Sequence, residues 1–114
     1  MQVRFKLWLE EGGEQVFGEG IYELLLAVER LGSINQAARF LHMSYRQAWG
    51  HIQKTERRLG VKLLVRQVGG PAGGGARLTP EAEDMLRRYH SFCLDVGKSL
   101  NDLYARHFIH PADG

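Results

Sequence analysis

The side chains best equipped for chemistry in this chain are hydrogen-bond donors, and they cluster on one short stretch. Set at 100° per residue, the segment after Ser44 puts Arg46, Gly50, Gln53 and Arg57 on one helical face with Gln47 and Lys54 beside them, while Ala48, Ile52, Thr55 and Leu59 line the opposite face. Donors without acids, around a residue that has no side chain, suit a polyanion. Phosphate oxygens accept from Lys and Arg, and base edges in a major groove accept from Arg or Gln. An ordinary surface helix with a solvated basic face would share this composition, so the surroundings decide. Between Arg39 and Arg77 there are eight Lys or Arg against the single acid Glu56, whereas the rest of the chain carries seven basic and twelve acidic residues. The formal net charge of +2 therefore hides a strongly positive middle, and double-stranded DNA is the simplest partner for it.

Other chemistries find less support. Five histidines and one cysteine raise metal binding: His90 with Cys93, and His107 with His110, are i, i+3 pairs that a helix presents together. Cys93 falls on an apolar stripe and His110 in the tail, so no metal and no cofactor is expected. Burial of Cys93 would raise its thiol pKa and disfavour redox sensing. No Ser, His and Asp set stands in a recognisable catalytic context, so no enzyme activity is expected. The glycine-rich run Gly69 to Gly75 lacks the Gly-Lys-Ser/Thr ending of a nucleotide-binding loop. A single cysteine excludes an internal disulfide and suits a reducing compartment. With no apolar run long enough to span a bilayer and no signal-peptide block, the expectation is a cytoplasmic protein without a membrane partner.

The elements that position the donors follow from caps and periodicity. A chain of 114 residues, 44% of them hydrophobic, makes about one domain. Ser33 with Gln36 and Ser44 with Gln47 each form an S-x-x-Q capping box, which predicts one helix from just after Ser33 to about Leu41 and a second from just after Ser44 to Leu59, with Gly60 as its stop. That is a helix-turn-helix. A supporting helix over about Glu19 to Leu31 carries Ile21, Leu24, Leu25, Val28 and Leu31, and Gly32 closes it. Upstream, Gln2 to Glu10 alternates, with Val3, Phe5, Leu7 and Leu9 facing one way and Arg4, Lys6, Trp8 and Glu10 the other. This predicts a strand that returns through Gln15 to Phe17 as a hairpin, with Trp8 at a rim or an interface. Val61 to Arg66 and Ala76 to Leu78 predict two strands around the glycine-rich loop, a wing whose base holds Arg66 and Arg77.

Thr79-Pro80-Glu81 starts a long helix. If it runs unbroken to Phe108 it spans roughly 43 Å, more than a core built by about 80 residues covers. Its remaining apolar stripe then requires a second chain, most simply an identical one. Gly97 within it is a weak point or a close-packing point. The expected fold is mainly α with a small β component (α+β): a winged helix-turn-helix over residues 1–78 with an N-terminal hairpin, a long C-terminal dimerisation helix over 79–108, and a flexible tail over 109–114.

Three stretches carry a resemblance: Gly32-Ser33-Ile34 with Gln36-Ala37-Ala38, then Ser44-Tyr45-Arg46-Gln47-Ala48-Trp49, and the wing exit Gly73-Gly74-Gly75-Ala76-Arg77-Leu78-Thr79-Pro80. With the element order, they resemble the N-terminal DNA-binding domain of ModE-type molybdenum-dependent regulators, itself related to the LysR-type winged helix. The resemblance runs nearly end to end and implies a homodimeric transcription regulator, with two recognition helices in successive major grooves of a pseudo-palindromic site. Full-length members carry C-terminal molybdate-binding modules where this chain ends. Molybdate sensing is therefore not carried over, and an effector signal is expected from a protein partner or through the dimer interface.

By position, Tyr45, Arg46, Gln47 and Gln53 are the expected base contacts, and Ser33, Ser44, Gly50, Lys54, Arg57, Arg66 and Arg77 the expected backbone contacts. Trp49 lies on the flank, either packing or facing DNA. Tyr89, Phe92, Val96, Leu100, Leu103 and Tyr104 are the expected dimer interface. The rival reading is a protein-interaction module that docks an acidic partner or forms mixed dimers with another regulator.

Overall fold

Apolar residues at helical spacing, closed off by caps, account for the helices. In the computed structural model, which describes residues 1–67 and 75–109, α1 runs Glu19–Leu31, α2 Ile34–Phe40, α3 Tyr45–Leu59 and α4 Pro80–Tyr104, the last continuing as a wider π-type turn over Ala105–Ile109. Strands β1 (Leu9–Glu11) and β2 (Glu14–Phe17) form one antiparallel hairpin, and β3 (Leu64–Gln67) with β4 (Gly75–Leu78) the other. The second hairpin is the wing, and most of its glycine-rich tip lies outside the described residues.

The caps work locally. Ser44 Oγ accepts from Gln47 N at 3.0 Å while Gln47 Oε1 accepts from Ser44 N at 2.9 Å, a complete capping box. At α2 the serine arm forms, Ser33 Oγ accepting from Gln36 N at 3.0 Å. Gly32 and Gly60 take left-handed backbone, with φ of 83° and 73°, and stop α1 and α3. Between α2 and α3 the chain turns through His42 at φ 60°, and Met43 N donates to Ala38 O at 2.9 Å to close the turn.

The core gathers Phe17 of β2, Ile21, Leu24, Leu25 and Val28 of α1, and Ile52 of α3, with Leu63, Leu64 and Leu78 at the wing's base. Each such side chain contributes about 1.5–3 kcal/mol by leaving water. Ala37, Ala38 and Ala48 are fully buried where α2 crosses α3, so small side chains let the two helices of the motif sit close. Leu31, expected in this core, is 39% exposed at the end of α1.

The N-terminus departs from its expected strand. Only Leu9–Glu11 pair with β2, because the turn at Gly12-Gly13 leaves β2 four residues long. Residues 1–8 instead lie along α4: Tyr89 Oη donates to Leu7 O at 2.7 Å, the Phe5 ring is 3.7 Å from where a Cβ on Gly97 would stand, and Tyr104 Oη donates to Met1 O at 2.9 Å. Alternating apolar residues need one apolar surface, and the stripe of α4 supplies it. The Phe5 ring thus packs over Gly97 at a distance that would also admit a methyl group. β3 likewise begins at Leu64, not Val61, since the Leu63 amide is drawn to Glu56 Oε2 at 2.8 Å.

Helix α4 starts as its sequence predicts. Thr79 Oγ1 accepts from Ala82 N at 3.1 Å and donates to Lys62 O at 2.7 Å, tying the helix start to the wing's base. Regular α-helix ends at Tyr104, before the expected Phe108. Ala82, Leu86 and Tyr89 are its buried residues, so its second half projects from the core and stretches the molecule to 67 × 29 × 23 Å. Tyr89, expected at a dimer interface, is instead inside the chain's own core, with its ring 5.2 Å from Phe17 and 5.3 Å from Tyr22.

Candidate nucleic-acid interface

The box at Ser44 fixes the first turn of α3, and the apolar face fixes its rotation. Ala48 and Ile52 are fully buried, Thr55 is buried with Oγ1 donating to His51 O at 2.9 Å, and Leu59 is half-buried. Consequently Tyr45, Arg46, Gln47, Gly50, Gln53, Lys54 and Arg57 all face outward. Gln47 has its carbonyl oxygen committed to the cap, so its amide hydrogens are the group left for a ligand. Gly50 stands mid-helix with no atom beyond its own turns within 4 Å of a built Cβ. On the flank, His51 has its pKa lowered by burial and then by the charge of Lys54, which keeps it neutral beside the basic face.

Two charged residues of this stretch serve the fold. Arg58 Nη1 donates to Gln15 O at 2.7 Å and its Nε lies 3.3 Å from Glu14, pinning the first hairpin to α3. Glu56, the single acid of the positive stretch, accepts from the Leu63 amide and lies 3.9 Å from Lys62 Nζ. A carboxylate there ends α3 and aims the chain into the wing.

The wing's register separates its two arginines. Leu64 pairs with Leu78 and Arg66 with Ala76, and the three apolar members are buried. Arg66 therefore shares the face turned to the helices. Val65 pairs with Arg77 on the outer face, so the two arginines grouped at the wing's base are not brought to one face. The guanidinium of Arg66 lies 4.6 Å from the Trp49 ring centroid and 6.0 Å from that of Tyr45, and its Nη2 donates to Tyr45 Oη. Sequence reasoning missed this contact. Its signal was the i, i+4 spacing of Tyr45 and Trp49, which puts two rings on one flank. Ser33 lies half-buried beside the wing, next to Gly32, whose carbonyl accepts from Ala76 N at 2.9 Å.

Among the described residues the histidines gather no ligand set. His90 Nδ1 is 3.3 Å from Tyr22 Oη with the rings stacked, and Cys93 is half-buried. Among the described residues no three His, Cys, Asp or Glu side chains come together as metal ligands; the pair of His107 with His110 falls partly outside those residues. No helix among the described residues is long and apolar enough to cross a membrane.

Residues 22–83 match the family described as bacterial regulatory helix-turn-helix protein, lysR family. The chain belongs to this family. The matched stretch begins within α1 and ends in the first turn of α4, so it contains the helix-turn-helix and the wing. Among curated relatives, the LysR-family chain is 35% identical over 105 residues to the molybdenum-pterin-binding protein MopB of Rhodobacter capsulatus, covering 92% of this chain and 38% of that protein. It is 42% identical over 66 residues to the transcriptional regulator ModE of Haemophilus influenzae, covering 58% of this chain and 26% of that one. The chain thus spans well under half the length of these relatives. Among solved structures, the DNA-binding domain of CbnR in complex with DNA aligns with a TM-score of 0.59 at 26% identity, over 77% of this chain and 95% of that one. The fold is a LysR-type winged helix, and the ModE-like character of its sequence holds in these relatives.

Proposed function

We propose that this LysR-family chain is a dimeric, sequence-specific, DNA-binding transcription regulator of ModE type. The observation that carries the reading is the donor-rich, acid-free outer face of α3, where Gly50 leaves a gap that no described residue fills. In this account Tyr45, Arg46, Gln47 and Gln53 address base edges. Lys54, Arg57, Arg66 and Arg77, with Ser33, Ser44 and Gly50, meet the sugar-phosphate backbone.

The projecting half of α4 supports a two-fold partner. Phe92 and Leu103 are 46% and 40% exposed, with Val96 and Leu100 half-buried and Tyr104 held by the N-terminal segment. Packing a second copy there removes these apolar surfaces from water and sets two recognition helices for one palindromic site. Any effector signal would reach this domain through a protein partner or through that interface.

A titration of the chain against fragmented genomic DNA at two salt concentrations tests the reading. If Lys54, Arg57, Arg66 and Arg77 each displace one counterion, log affinity falls with log salt with a slope of about −3 to −4 per protomer. A flat salt dependence would contradict DNA binding.

A further inference from the structure

Arg66 sits on the wing face that carries buried Leu64, Ala76 and Leu78, so its stem is aimed at α3 although the residue is exposed. What it meets is a pair of rings one helical turn apart. Its guanidinium is 4.6 Å from the Trp49 centroid and 6.0 Å from that of Tyr45, within the range where a ring face attracts a cation. Its Nη2 donates to Tyr45 Oη. A guanidinium carries five donors in a fixed planar fork. One is engaged by Tyr45, and the rest of the fork is held beside the first turn of the recognition helix.

We propose that Tyr45 and Trp49 are positioning residues that clamp Arg66, joining the wing and α3 into one rigid DNA-reading surface, so that Arg66 contributes sequence discrimination as well as charge. The inference rests on the DNA-binding reading above and revises two roles in it: Tyr45 holds Arg66 instead of meeting a base itself, and Arg66 adds base-edge donors to its phosphate contact. Attraction between a loosely tethered cation and phosphates is independent of sequence. Discrimination requires donors fixed relative to base edges, and a stacked, hydrogen-bonded arginine is fixed in that way. A lysine at this position keeps the charge but has neither the fork nor the planar stacking surface.

The test uses the full chain as wild type, Arg66→Lys, Trp49→Leu and Tyr45→Phe. Without DNA, NMR of the Arg66 Nε–Hε group reads the clamp, because rings stacked on the guanidinium shift its proton upfield; that shift is present in wild type and lost in Trp49→Leu. With DNA, affinity is measured for a duplex selected by the wild type from a random pool and for a scrambled duplex, each at two salt concentrations. Arg66→Lys lowers the selected-to-scrambled ratio about tenfold, the scale of one mismatched base pair, while the salt slope, set by the charge that lysine retains, stays near that of wild type. Tyr45→Phe keeps a ring and loses the hydroxyl, and gives a smaller loss. An Arg66→Lys ratio within about twofold of wild type overturns the proposal, whatever Trp49→Leu does to folding. An unshifted Arg66 signal in a chain that selects DNA overturns the clamp alone. A shifted signal in a chain that selects no sequence overturns the regulator reading and the discriminating role with it.

Discussion

Gly50 separates stability from binding at the scale of one residue. A glycine inside an exposed helix costs about 1 kcal/mol relative to alanine, and here no described residue occupies the space a methyl would take. Gly50→Ala should therefore raise unfolding stability by about 1 kcal/mol and weaken DNA binding, measured by denaturant midpoint and by titration. Binding as tight as wild type would remove Gly50 from the interface. Arg46, exposed in the first turn of α3, carries the opposite prediction: Arg46→Ala leaves the fold intact and loses about 1–3 kcal/mol of affinity, with relaxed preference at one base pair. Unchanged affinity for a selected duplex would count against its role. Both residues were legible in the sequence because helical periodicity alone decides which face an exposed helix presents. The Arg66 contact was not, because it joins residues from separate elements whose approach depends on the wing's register.

At the scale of elements, single contacts decide where one element hands over to the next. Glu56, with its side chain 11% exposed, satisfies the Leu63 amide beside the fully buried Leu63 side chain. Glu56→Ala should cost about 1–3 kcal/mol of stability by leaving that amide without its partner, even though removing the acid makes the basic stretch more positive. A denaturation curve unchanged from wild type would contradict this. Tyr89 ties the N-terminal segment to α4, and its pKa is pushed up to about 12 by burial first, then by the neighbouring Cys93. A folded pKa above the unfolded value of about 10 means the stabilisation is complete below pH 10 and is lost as pH rises through 12. Wild type should lose stability between pH 10 and 12 relative to Tyr89→Phe, which at pH 8 is itself weaker by about 1 kcal/mol for the lost bond to Leu7. Equal pH dependence of the two proteins would refute the assignment. The helix boundaries at Ser44, Gly60 and Thr79 were readable in the sequence because a cap involves residues three or four apart. The course of residues 1–8 was not, since their alternation predicts an apolar partner without saying whether it is a strand or a helix 80 residues away in the chain.

At the scale of the whole molecule, the basic face of α3 and the projecting α4 belong to one chain, and on the proposed reading two such chains bind DNA together. Selection of bound duplexes from a random pool by the full chain tests this most directly. The enriched duplexes should carry an inverted repeat whose half-sites lie about one helical turn, roughly 10 base pairs, apart or a multiple of it. Recovery of no preferred sequence, or of a single half-site with no repeat, would contradict that reading.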